Sequence, residues 1–71
     1  MRRLVVRVRC DNAAFAGQPG DEPAEVARIL RRIADDVAKG YQGDSLRDLN
    51  GNTVGAWQFL GTAPVYQGGS E

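Results

Sequence analysis

The stretch "SLRDLNGNTVGAWQFL", residues 45–60, constrains the fold of this chain more than any other segment. Asn50-Gly51 is a preferred pair for a type I′ hairpin turn, because both residues accept a positive φ at low cost. The turn predicts that residues 45–50 and 53–60 are antiparallel neighbours. Along the second strand, one predicted face carries Val54, Ala56, Gln58 and Leu60, and the other carries Thr53, Gly55, Trp57 and Phe59.

Both faces of that strand are partly apolar, so the direction of its two aromatic residues has to be weighed. The sequence favours Trp57 and Phe59 in the core, because two exposed aromatic rings on a small monomer would promote association. The alternative places them on an open sheet face beside Arg7 or Arg9. That arrangement would form the aromatic and arginine surface that is enriched in interface hot spots.

The amino-terminal stretch "RRLVVRVRC" alternates in the manner of a half-buried strand. Its apolar face consists of Leu4, Val6, Val8 and Cys10, and its other face of Arg3, Val5, Arg7 and Arg9. The residues that follow, 11–23, are rich in Asp, Asn, Gly and Pro and predict a loop. Phe15 is the only large apolar residue of that loop, and we expect it to fill one end of the core.

The segment "DEPAEVARILRRIADDVAKG" predicts one helix, with Asp21 as its cap and Pro23 in its first turn. An apolar stripe at helical spacing is expected to pack on the sheet; it comprises Val26, Ala27, Leu30, Ile33, Ala34 and Val37. Asp35 and Asp36 are expected on a solvated face, each paired with an arginine four residues earlier.

These elements predict a single small α+β domain over residues 1–62, in the order β-α-β-β. The first strand and the hairpin would form a three-stranded sheet with one helix packed on one face. Strand order is not determined by the sequence. Residues 63–71, which include Gly-Gly-Ser, are expected to form a flexible carboxy-terminal tail.

Composition argues against several classes of function. The chain has no His and only one Cys, Cys10, which removes an intramolecular disulfide and the usual zinc ligand sets. The glycines match neither a P-loop nor a dinucleotide fingerprint, and no nucleophile has an evident base. We therefore expect no enzymatic activity, no metal and no cofactor. No apolar run is long enough to span a bilayer, so the sequence predicts a cytoplasmic protein that does not enter a membrane.

Charge is balanced in total but not along the chain. Nine basic and nine acidic side chains cancel, which argues against a dedicated nucleic-acid binder. Eight of the nine basic residues are Arg, which can recognise carboxylates through two parallel hydrogen bonds. The predicted partner-binding residues are Arg3, Arg7, Arg9 and, from the hairpin, Arg47. The alternative is that these arginines only keep an open sheet face soluble.

Three motifs, "CDNAAF", "EVARILRRIAD" and "LRDLNGNTVGAW", together resemble a group of short uncharacterised proteins carried by phages and mobile elements of bacteria. The resemblance runs from about Leu4 to Trp57, and the hairpin motif is its most specific part. This chain departs from the pattern in its arginine-rich start and in its tail after Phe59. The resemblance supplies no catalytic residues, and it implies that the protein works in the cytoplasm of a bacterial host.

The resemblance implies a phage protein that inhibits or modulates a host protein complex by direct binding. Its most specific form is an anti-CRISPR protein whose partner is a subunit of a CRISPR effector. Two alternatives stay open: a small nucleic-acid-binding regulator, and a homo-oligomeric phage accessory protein. The sequence also leaves open whether the protein is a monomer or a homodimer.

Overall fold

The computed structural model describes residues 1–62, in which three strands and two helices follow one another along the chain. They are β1 (Arg3–Val8), α1 (Ala13–Ala16), α2 (Asp21–Ala38), β2 (Gly43–Arg47) and β3 (Thr53–Leu60). The strands form one antiparallel sheet in the order β1-β3-β2. The predicted α+β class and the three-stranded sheet are confirmed, and β3 is the central strand. The tail predicted for residues 63–71 lies outside the described residues.

The core lies between α2 and one face of the sheet, and Trp57 is at its centre with 1% of its surface exposed. Phe15 is 2% exposed, in agreement with its predicted place in the core. The remaining buried apolar residues of the cluster are Ala14, Ile29, Ile33, Leu46 and Val54. Burial of two large aromatic side chains supplies much of the apolar area available to so small a domain.

The buried face of α2 differs from the predicted stripe. Its buried residues are Glu25, Ile29, Ile33 and Asp36, and Leu30 is 50% exposed. The prediction that Asp36 is solvated is therefore wrong, although its predicted partner Arg32 does lie 3.4 Å away. The apolar residues of this helix cover too wide an arc for the pattern alone to fix its orientation. Of its two buried carboxylates, Glu25 makes a contact outside the helix: it accepts a hydrogen bond from the Leu49 N–H and so helps to fix which face of α2 packs inward.

The segment predicted as a loop contains the short helix α1. Asn12 caps it, because its side-chain oxygen accepts a hydrogen bond from the Ala14 N–H at 3.0 Å. The predicted cap of α2 is also displaced by one residue. Asp21 is the first helical residue, and its carboxylate accepts a hydrogen bond from the Gln18 N–H at 2.9 Å. Asp21 thus ties the end of the connection to the start of α2.

The turn between β2 and β3 is longer than the predicted type I′ turn. Only Gly51 has a positive φ, 87°, and its N–H donates to the Asp48 carbonyl at 3.0 Å. The pairing then shifts by one residue beyond Leu46, which leaves Val54 as the extra residue of a bulge. Because of this bulge, Val54 is buried like Trp57, and the prediction that they lie on opposite faces is wrong.

Candidate interaction surface

The sheet face that α2 does not cover carries most of the predicted binding residues, and we call it the open face. Its residues alternate with the core residues of β1 and β3 and are paired across the two strands by register. They are Arg3, Val5, Arg7, Ala56, Gln58 and Leu60, together with Arg9 just beyond β1. A shallow depression of about 530 Å³ lies on this face between the apolar side chains and Arg7.

The arginines of the open face have no carboxylate partner among residues 1–62. Arg3, Arg7 and Arg9 are exposed, and the two ion pairs in this part of the chain both involve arginines of α2. The Arg9 guanidinium donates to the Thr53 carbonyl at 3.0 Å, which holds it against the start of β3. The face therefore offers unneutralised positive charge on a backbone that is fixed by strand pairing.

Arg47, the fourth predicted residue, lies elsewhere. It ends β2, on the opposite edge of the sheet from β1, about 10 Å away across two strand spacings. Its carbonyl accepts a hydrogen bond from the Arg28 guanidinium at 3.0 Å. The structure thus brings Arg3, Arg7 and Arg9 onto one strand and its end, and leaves Arg47 at the rim.

The aromatic residues of β3 lie on the helix side of the sheet. Trp57 is buried, and the half-buried Phe59 meets it edge to face, with ring centroids 5.9 Å apart. The Arg2 guanidinium lies 4.3 Å from the centre of the Phe59 ring. In residues 1–62 the open face therefore carries no aromatic ring, and it lacks the stacking platform that single-stranded nucleic acid requires.

A second group of polar residues, which sequence reasoning missed, joins the hairpin turn to the rest of the domain. We call it the polar cluster; it comprises Asn12, Glu25, Arg28, Asp48 and Asn52. Asp48 is its hub, because one carboxylate oxygen accepts from the Asn12 side chain at 2.7 Å. The other oxygen accepts from the N–H groups of Asn50 and Asn52, both at 2.9 Å. The hub therefore fixes both the turn and the loop before α1.

Glu25 completes the polar cluster from α2. It is 3% exposed, and it forms two hydrogen bonds of 2.8 Å with Arg28. It also accepts from the Leu49 N–H at 2.9 Å, which ties the helix to the turn. A buried carboxylate with three donors is well compensated for its loss of water.

The protonation equilibria of both carboxylates reflect these contacts. The Arg28 hydrogen bond lowers the pKa of Glu25 from its ordinary value, against the opposing effect of burial. Burial raises the pKa of Asp48, but the hydrogen bonds from Asn52, Asn12 and Asn50 together outweigh it, and the net pKa is lowered. Both side chains are consequently held in the ionised form that their donors need.

The polar cluster draws together one residue or more from each of the three motifs of the sequence. Asn12 belongs to "CDNAAF", Glu25 to "EVARILRRIAD" and Asp48 to "LRDLNGNTVGAW". The signal that could have revealed the cluster is the three-residue spacing of Glu25 and Arg28 and the Asx-turn residues around Asp48. These motif residues hold the fold, and the open face, apart from Ala56, is built from residues outside the motifs.

Comparisons with family models, with curated proteins and with solved structures found no match to this chain. Neither helix in residues 1–62 has the length and apolar character needed to cross a membrane. The same residues contain no group of three or more side chains that could hold a metal ion.

Proposed function

We propose that this chain is a small non-enzymatic phage protein that inhibits or modulates a host protein complex by direct binding. A subunit of a CRISPR effector complex is the proposed partner. The observation that supports this most strongly is the open face, where Arg3, Arg7 and Arg9 are exposed and have no carboxylate partner within residues 1–62. The resemblance of the three motifs to phage-borne proteins supplies the biological setting.

Arginines on a paired strand suit protein recognition for two reasons. Strand pairing already fixes the backbone of Arg3 and Arg7, so binding orders only their side chains. A guanidinium can also form two parallel hydrogen bonds with one carboxylate, which gives specificity as well as attraction. The apolar depression beside Arg7 provides area from which water can be excluded. Arg47, at the rim, would add a contact only to a partner that spans the sheet.

The alternatives make different demands on the same surface. A nucleic-acid-binding regulator would depend on phosphate contacts, and its affinity would fall steeply with salt concentration. A homo-oligomeric accessory protein would use exposed apolar residues, of which Leu4 is 47% exposed on β1. Both alternatives are separable from the proposal by what the purified protein captures and under which conditions.

The test is a pull-down with the tagged protein from nuclease-treated lysates that contain CRISPR effector complexes, followed by mass spectrometry. We expect an effector subunit to be recovered, and its recovery to fall at least about tenfold when Arg7→Glu is combined with Arg9→Glu. The matched control combines Arg31→Glu with Lys39→Glu, two exposed residues of α2 and its end, and changes the net charge equally.

Three results would contradict the proposal. Equal recovery of the subunit by the open-face variant would show that the surface is wrong. Capture of the protein alone would favour the homo-oligomeric accessory protein. Capture that occurs in a parallel lysate without nuclease, is lost on nuclease treatment and disappears as salt rises would favour the regulator.

A further inference from the structure

The two edge strands of the sheet, β1 and β2, present their backbone groups differently. The Arg9 N–H donates to the Val54 carbonyl at 2.7 Å. This bond identifies which residues of β1 direct their backbone groups toward β3. Every second residue of an antiparallel strand bonds to the same neighbour, so Arg7, Val5 and Arg3 bond to β3 as well. The peptide groups of the alternate residues, Leu4, Val6 and Val8, therefore point outward from the sheet edge.

Charged side chains occupy part of the β2 edge. The Phe59 N–H donates to the Gln42 carbonyl at 3.0 Å, which makes Gly43, Ser45 and Arg47 the outward residues of β2. The Ser45 N–H donates to the Asp44 carboxylate at 2.8 Å, and the Arg47 carbonyl accepts from Arg28 at 3.0 Å. Two of the groups that a new strand would need are thus already occupied, which is a known protection against edge pairing.

The β1 edge has no such protection within residues 1–62. The one contact to its outward groups is a weak one, from the Cys10 thiol to the Val8 carbonyl at 3.8 Å. The side chains beside this edge are apolar on the helix side, where Leu4 is 47% exposed, and cationic on the open face. An unpaired edge of this length is a template for strand addition.

Charge argues against a second copy of this chain as the added strand. If β1 paired with its own copy about Val6, Arg3 would lie opposite Arg9 of that copy. A shift of the register in one direction places Arg3 opposite Arg7, and a shift in the other places Arg7 opposite itself. Like charges directly opposite each other destabilise an antiparallel pair, so each of these three registers carries a repulsive contact.

We propose that the outer edge of β1 binds an extended segment of a partner protein as an additional antiparallel strand. The segment has carboxylates at the positions that face Arg3 and Arg7, and apolar residues at the alternate positions beside Leu4 and Val6. Main-chain hydrogen bonds give this mode its affinity, and the alternating side chains give its specificity. The inference rests on the proposed function, since it describes how the open-face arginines meet a protein.

The test uses the full-length protein and a peptide as long as β1 in which Val alternates with Glu; in its matched control Glu is replaced by Lys. Amide hydrogen exchange is followed by NMR. At a peptide concentration about ten times its Kd, we expect exchange at Leu4, Val6 and Val8 to slow about tenfold, because exchange then requires peptide release. The outward amides of β2, at Gly43 and Ser45, should not change.

One protein variant and one modified peptide test the inference further. Leu4→Pro removes an outward N–H without removing a bond to β3, and proline is tolerated on edge strands in that orientation. It should leave the protein folded and lower its affinity for the peptide at least about threefold, which corresponds to one lost hydrogen bond. A peptide methylated on the amides that face β1 should not bind, whereas methylation of the opposite amides should have little effect.

Several outcomes would overturn the inference. They are equal binding of the lysine peptide, slowed exchange at Gly43 and Ser45 in place of β1, and unchanged affinity with Leu4→Pro. Slow exchange at Leu4, Val6 and Val8 in the free protein would show that the edge is already covered. If that slow exchange depends on protein concentration, a second copy covers the edge. If it does not, the chain's own residues cover it. The peptide result is independent of whether any CRISPR effector is captured, so failure of one proposal is distinguishable from failure of the other.

Discussion

Gly55→Ala is expected to detach β1 from the sheet and to lower the free energy of unfolding by at least about 3 kcal/mol. A Cβ atom at this position would overlap the carbonyl oxygen of Arg7 on the neighbouring strand. The overlap is with backbone, so no side-chain rotation can relieve it. Because a domain of this size has only about 4–10 kcal/mol of stability in total, the loss is a large fraction of it. Urea unfolding monitored by Trp57 fluorescence measures the change.

The matched control for Gly55 is Ala56→Val. Ala56 is the next residue of β3, is exposed on the open face and belongs to the same strand pair. This substitution should change the free energy of unfolding by less than about 0.5 kcal/mol. An unfolding midpoint for Gly55→Ala equal to that of the parent would show that β1 and β3 do not approach as closely as the structure has them.

Asp48→Ala should lower the melting temperature by about 10 °C or more. The substitution leaves the Asn12 side chain and the N–H groups of Asn50 and Asn52 without their acceptor. Asp48→Asn keeps one acceptor oxygen, but it turns a donor toward the Asn12 amide, so its effect should be intermediate. Thermal unfolding followed by circular dichroism ranks the two variants against Asp35→Ala, which removes an exposed carboxylate of α2 and should change little.

The pH dependence of the free energy of unfolding tests the role of Asp48 independently. The pKa of Asp48 in the folded protein is lowered from its ordinary value of 3.8, so its contribution to stability is present above that value and is lost as the pH falls through the folded pKa. The parent should therefore lose stability on acidification more steeply than Asp48→Ala does. If the free energy of unfolding falls equally steeply with acidification in the two proteins, Asp48 does not accept the hydrogen bonds described above.

The pattern of the sequence predicted the strands and the place of Phe15, because alternation in "LVVRVRC" and a turn at Asn50-Gly51 are local signals. It did not predict the orientation of α2. Glu25 and Asp36 are charged, and no periodicity rule places a carboxylate on a buried face. Glu25 is buried because its partners, Arg28 and the Leu49 N–H, come from two different elements.

The sequence also predicted only part of the candidate site. Arg3 and Arg7 share a face with each other by simple alternation, so their placement on the open face followed from the sequence. Arg47 was grouped with them without knowledge of strand order, and the order β1-β3-β2 separates it by the width of the sheet. The difference between the β1 and β2 edges depends on which backbone groups Asp44 and Arg28 occupy, and only the three-dimensional structure contains that information.

The proposed function is best tested by measuring CRISPR interference in bacteria that express the protein. Plasmid loss caused by an active effector is scored with the parent chain, with Arg7→Glu combined with Arg9→Glu, and with the control that combines Arg31→Glu with Lys39→Glu. We expect the parent and the control to block plasmid loss, and the open-face variant to restore it, because charge reversal replaces attraction to a carboxylate with repulsion. Plasmid loss that is unaffected by the parent, against each effector tested, would contradict the anti-CRISPR proposal. Inhibition that is equally strong in all three proteins would contradict the assignment of the open face as the binding surface.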